Sequence, residues 1–244
     1  MRDQFAGDIS DLLKFSLLRS LVGEDKKLGI GWYFVDEENQ RTVGRHREFC
    51  AEQKWESLDS EVWEALRNLP ERSVAALERL KFWPIGTKFH RIPIEPGPGR
   101  ENWFDGMKSH LEGCSVVFLD PDNGLGKPGL LHASIEEVHS LQETIPAVVL
   151  IKFPGRTKHS QQIEEHHRSL LKNKNTKWVF TIRTCVSINC RTKTGKHQKI
   201  PRIRWFTVIN PDQCITRRAN SFVTKMKNLK DVKAEIVSME GFGN

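Results

Sequence analysis

The chain is poor in cysteine, with five in 244 residues (Cys50, Cys114, Cys185, Cys190 and Cys214), odd in number and scattered. No CxxC pair and no Cys/His ligand spacing occurs among them. Neither a disulfide framework nor a structural zinc is expected, and a reducing compartment is. Long apolar runs are lacking as well. Runs such as 116–119 and 147–151 are far short of the roughly 20 residues that span a bilayer, so no membrane helix is expected. The opening residues Met1-Arg2-Asp3-Gln4-Phe5 reach an acid at once and lack the apolar core of a secretion signal. A cytoplasmic location is the expectation. Internal repeats and low-complexity tracts are missing, and the one linker-like stretch, 93–99, reads as a loop after a strand. One domain over 1–244 follows.

What is present in excess is positive charge, and it is unevenly placed. Residues 1–150 hold 18 Lys and Arg against 25 Asp and Glu, whereas 151–244 hold 20 against 6, giving net charges of −7 and +14. Within the second half, Arg183, Arg191, Lys193, Lys196, Lys199, Arg202 and Arg204 follow one another with no acid between them. The stretch 185–201 is rich in Thr and Asn and reads as an exposed basic loop joining two strands. Clustered cations gain from counterion release at phosphates, so DNA or RNA is the expected partner, against the plainer reading of a solvated loop.

Hydrophobic periodicity gives the architecture. Asp8 precedes apolar residues Ile9, Leu12, Leu13, Leu17, Leu18 and Leu21 at helical spacing, which predicts a helix over about 9–22 with Asp8 as its N-cap. Short apolar runs predict strands near 28–35, 87–94, 115–120, 147–153, 177–184, 202–209 and 234–239. Helical patterns fall near 100–112, 134–143, 159–172 and 212–229, and 45–82 reads as a helical insertion. Alternation at this spacing argues for a Rossmann-like α/β fold, a mostly parallel seven-stranded sheet covered on both faces, with an antiparallel edge hairpin around the basic loop.

The sharpest chemical feature is the strand that runs straight into Asp120, Pro121, Asp122, Asn123 and Gly124. Ligands of open α/β sheets bind beyond the carboxyl ends of strands, where these residues are expected. The same residues are turn formers in their own right. Asp36, at the end of the first strand, would bring a further acid to the same end of the sheet.

Two segments carry a family resemblance. Phe5-Ala6-Gly7-Asp8-Ile9-Ser10-Asp11-Leu12-Leu13-Lys14 is similar to the His-Ala-Gly-Asn-His-Ala-Asp-Val-Leu-Lys stretch that opens the bacterial large-subunit ribosomal RNA adenine-N6 methyltransferases of the J type. Asp120-Pro121-Asp122-Asn123 stands where that family has Asp-Pro-Pro-Tyr, and Gln161-Gln162-Ile163 and Phe206-Thr207-Val208-Ile209-Asn210-Pro211 also look similar. The resemblance implies the class I methyltransferase fold, S-adenosylmethionine as cofactor, and Asp8, Asp11, Lys14 and Asp36 near it. It also implies that Asp120 and the Pro121 carbonyl orient a target amine. Asp122 and Asn123 replace the second Pro and the stacking aromatic, a place that Phe153 could fill unless it is core. The first strand runs into Asp36-Glu37-Glu38 rather than a Gly-x-Gly turn, and Gly29 and Gly31 lie inside it.

Those departures leave a rival. Asp36, Asp120 and Asp122 at neighbouring strand ends would make an oxygen-rich site for Mg²⁺ or Mn²⁺, with Lys152 or Arg156 near a scissile phosphate, as in a metal-dependent phosphodiesterase. A non-catalytic nucleic-acid-binding protein is the third reading. His159, His166 and His167 read as surface residues of a polar helix, and Trp103 as a candidate for stacking on a base.

Reversing the charges of Arg191, Lys193, Lys196 and Lys199 is expected to weaken binding to an oligonucleotide and to flatten its salt dependence in a fluorescence-anisotropy titration. Unchanged affinity and slope would reduce the stretch to a solvated loop.

Overall fold

The computed structural model describes residues 1–36, 47–155, 157–191 and 197–240. Lys193, Lys196 and Arg156 lie outside them. Seven strands form one mixed sheet: β1 (Leu28–Trp32), β2 (Lys88–His90), β3 (Val116–Asp120), β4 (Ala147–Lys152), β5 (Trp178–Arg191), β6 (His197–Ile209) and β7 (Val232–Glu240). Their order is β2-β1-β3-β4-β6-β5-β7. The first four are parallel, β6 runs against both β4 and β5, and β7 runs against β5. Strands β1 and β3 are buried along their whole length, which is why they read as unbroken apolar runs.

Helices cover both faces. On one lie α1 (Ile9–Val22), α2 (Ser60–Arg67), α3 (Val74–Glu78) and α7 (Gln213–Lys227), packed on Ile30, Phe118, Val149 and Phe206. On the other lie α4 (Gly99–His110), α5 (Ile135–Leu141) and α6 (His159–Leu171), packed on Val117, Leu119, Val148 and Leu150. No helix of the described residues is long and apolar enough to cross a membrane. Asp8 caps α1 as its sequence suggests, its Oδ1 accepting from the N–H of Ser10 at 2.7 Å and of Asp11 at 3.2 Å. The helix is buried nearly all round, however, including Asp11 and Lys14. Helix α7 and the 47–67 segment cover the side that an amphipathic helix would show to water.

The stretch 185–201 is not simply a loop. The β5–β6 ladder continues from Val179↔Ile209 to Arg191↔His197. Val186 and Ile188 alternate on one side and pack beside Phe49 and Trp55. This period of two is the mark of a half-buried strand, and the surrounding Lys, Arg and Thr obscure it in the sequence.

His166 and His167 are buried, contrary to the surface reading. Ile163, His166, His167 and Leu170 form the i, i+3, i+4, i+7 stripe that α6 turns to the sheet. There, His166 Nε2 lies 3.1 Å from Thr207 Oγ1, His167 Nε2 lies 2.7 Å from Thr181 Oγ1, and the two hydroxyls lie 2.9 Å apart. Thr181 and Thr207 are cross-strand partners. Two hydroxyl protons cannot serve three links, so at least one imidazole donates. Trp103 is buried too, its ring N–H donating to the Ile92 carbonyl at 2.9 Å and its ring packed edge-on against Tyr33. It has no face open to a base.

Burial pulls the His167 imidazole down to about 4 and holds His166 well below its ordinary value, with the nearby Lys152 charge adding to the latter. Both rings are then neutral when folded but protonate near 6.5 when unfolded, so their stabilisation is full above pH 6.5 and is lost as pH falls towards 4. For His167 the loss is on the order of 3 kcal/mol. Urea-unfolding midpoints between pH 7 and 4 are expected to fall more steeply in the wild type than in His167→Gln.

Candidate functional site

The site begins with strand alternation. Val116 and Phe118 point to the α1 face, so Asp120, two residues further and last in β3, points there as well. It meets Lys14 of α1, whose Nζ lies 2.9 Å from Asp120 Oδ2 and 2.7 Å from Asp11 Oδ1. None of the three side chains is more than 3% exposed. The other oxygen of Asp11 accepts from the Gly7 N–H at 2.7 Å. Burial pushes the Asp11 carboxyl up to about 7 against the pull of Lys14. Burial would lower the Lys14 amine, but Asp11, Asp120 and Asp8 together outweigh it and hold the amine above its ordinary range.

Beside this triad opens a cleft of about 470 Å³ at the carboxyl end of β3. Asp8, Asp11, Lys14, Asp120, Pro121, Asp122 and Asn123 all line it. So do Phe153, just after β4, and Arg202 and Arg204 of β6. Phe153 is therefore a wall of the cleft rather than wholly core. The Arg204 guanidinium lies over its ring at 4.5 Å and donates from Nε to Ser10 Oγ at 2.7 Å. Asp122 pairs with Arg2 Nε at 2.9 Å and with the Met1 ammonium at 3.1 Å.

One expected residue lies elsewhere. Asp36 is exposed and does not line the cleft. Among the described residues no group of three His, Cys, Asp or Glu side chains could hold a metal ion. The β1 glycines serve packing: a Cβ on Gly31 would lie 2.5 Å from Met107 Sδ, and one on Gly29 would lie 3.0 Å from Cys114 Sγ. Beyond them, the crevice between the ends of β1 and β3 holds Met1, whose ammonium donates to the Tyr33 and Asp120 carbonyls and whose carbonyl accepts from the Val35 N–H.

The basic run is also opposed in space. Arg183 NH1 lies 2.8 Å from Glu235 and Lys199 Nζ lies 2.7 Å from Asp231. Both acids come from the segment that forms the β7 edge. Arg202 and Arg204 instead turn to the cleft, while Arg191 continues the β5 ladder.

Sequence reasoning missed the group that shapes the turn. Arg100 of α4 donates to the Gly129 and His132 carbonyls, both at 2.9 Å, and pairs with Glu137 at 2.6 Å. Glu137 also accepts from the Tyr33 hydroxyl and from the Ser134 N–H. The Asn123 N–H donates to the Leu131 carbonyl within the same loop. The available signal was Ser134-x-x-Glu137, a capping box that the structure contains.

Lys14→Met removes the buried cation that partners both Asp11 and Asp120. The expected loss is about 3–5 kcal/mol in urea unfolding, most of it recovered when Asp11→Asn and Asp120→Asn are added.

No protein-family model matches the chain, and a search of the curated proteins finds no match.

Proposed function

We propose that the protein is a class I nucleic-acid amino-methyltransferase that holds S-adenosylmethionine in the Asp120 cleft. The observation that carries this reading is convergence. The residues that resemble the family's opening motif and those that resemble its Asp-Pro-Pro-Tyr motif are over a hundred positions apart, yet they line one cleft at the carboxyl end of a parallel strand. The strand order supports it by fold-level analogy: a parallel run β2-β1-β3-β4 is followed by a reversed strand inserted ahead of the one that precedes it in sequence.

The lining suits a zwitterionic cofactor. It carries carboxylates at Asp8 and Asp122, guanidinium groups at Arg202 and Arg204, and apolar surface at Phe5, Leu131 and Phe153. Asp8 would take the ammonium of the methionyl part, Arg204 its carboxylate, and the apolar wall its base. The volume lies within the range of small-ligand pockets, roughly 300–1,000 Å³. The end of β1 does not suit it, because the glycines there are filled by Met107 and Cys114 and the crevice beyond by Met1. The cofactor is therefore assigned to the α1 side. When bound it supplies an electrophilic methyl group.

This chain's own residues prepare the acceptor. The Lys14 ammonium holds Asp120 Oδ2 at 2.9 Å, and a carboxylate accepts hydrogen bonds from an exocyclic amine without taking its lone pair. The Pro121 carbonyl offers a second acceptor on the same strand end. Arg100 fixes the loop that holds Asn123, and the cationic β5–β6 ribbon grips phosphates. The metal-dependent reading has less support, since Asp36 lies outside the cleft and Asp120 and Asp122 are already paired with cations.

S-adenosylhomocysteine at 100 times its dissociation constant is expected to stabilise the protein by about 2.7 kcal/mol in a thermal-shift assay. Asp8→Asn and Arg204→Gln weaken that effect, and Mn²⁺ alone gives none. If calorimetry detects no such binding, while Mn²⁺ stabilises the wild type but not Asp122→Asn, the phosphodiesterase replaces the methyltransferase.

A further inference from the structure

A second pocket, of about 280 Å³, lies on the opposite face of the sheet from the Asp120 cleft. Along β4, Val148 and Leu150 face α4 and α5, and Lys152, next in that alternation, ends the strand on the same face. Gly124 has a φ of +85°, and a Cβ there would lie 3.0 Å from Lys152 Cα and Cβ. The Asp-Pro-Asp-Asn-Gly turn thus rests on the lysine stem, and the ammonium enters a pocket walled by Gln162, Glu165, His166 and Ser169 of α6. One turn of chain separates the two cavities.

Within the described residues, the half-buried Lys152 ammonium makes no hydrogen bond or ion pair. Its neighbours are spoken for. The Gln162 side chain is engaged by the Gly155 N–H and by the Gly155 and Thr157 carbonyls. His166 Nε2 is held by Thr207, and its ring is neutral. Glu165 is exposed and attracts the ammonium without bridging to it. A half-buried ammonium without a protein acceptor gains a charge-assisted hydrogen bond when a ligand brings anionic oxygen.

We propose that the Lys152 pocket is a phosphate subsite, with Lys152 as the charged donor and the Ser169 hydroxyl as a neutral one, taking the phosphate of a nucleotide beside the 120–124 turn. As an anion site it stands on its own. As the seat of a backbone phosphate next to the target amine, it rests on the methyltransferase reading.

The test is reductive methylation of the wild-type protein with Lys152 followed by peptide mass spectrometry. Inorganic phosphate is expected to slow modification of Lys152 by about threefold or more, as occupancy of a site requires, while exposed Lys225 and Lys230 are unaffected. A nucleoside 5′-monophosphate and a single-stranded oligonucleotide form two further arms. Stronger protection by the oligonucleotide identifies a backbone phosphate, and stronger protection by the monophosphate identifies a free nucleotide. In anisotropy titrations Lys152→Gln is expected to lower the oligonucleotide salt slope by about 0.7–0.9, and Lys152→Arg to restore it. Lys152 methylation that no phosphate compound slows, with an unchanged salt slope in Lys152→Gln, overturns the proposal. Absence of S-adenosylhomocysteine binding with phosphate protection intact removes the methyltransferase reading alone.

Discussion

A lysine buried between two carboxylates ties the first helix to the central strand. Lys14 alone would be an expensive charge in the core, and Asp11 and Asp120 without it would repel each other at the end of β3. Together they hold α1 at a set height over the sheet. That height places the Asp8 cap and Ser10 at the cleft, and Ser10 in turn receives Arg204 from β6. The cleft is thus built outward from one ion triad.

The same end of the sheet is shaped by close packing. The glycines in β1 leave room for Met107 and Cys114 against the strand. Arg100, near the start of α4, organises the loop after Asn123 through two carbonyls and Glu137. The shape of the candidate site therefore depends on a helix that contributes no residue to its lining.

Charge acts differently in the chain and in the fold. The long basic run reads as unopposed, yet antiparallel pairing lays β7 alongside β5, and Glu235 neutralises Arg183 while Asp231 meets Lys199. Among the described residues, the cations of the run that face the α1 side, Arg202 and Arg204, reach the cleft. Cations paired with acids and cations that line the cleft thus belong to different members of one strand pair.

Features whose signals are local were legible in the sequence: the Asp8 cap, the 3.6-residue period of α1, the apolar runs of β1, β3 and β4, and the turn after Asp120. The mixed seven-stranded sheet followed from their alternation, and most of the candidate cleft followed from motifs at strand and helix ends. The ladder through 185–191, the burial of His166, His167 and Trp103, and the exposure of Asp36 were not legible. Each depends on which distant surface covers a residue, and sequence spacing does not encode that. Local periodicity determined the elements and their alternation along the chain. Tertiary structure alone decided which charges are paired, because Lys14 and Asp120, or Lys199 and Asp231, become neighbours only when the strands and helices between them pack.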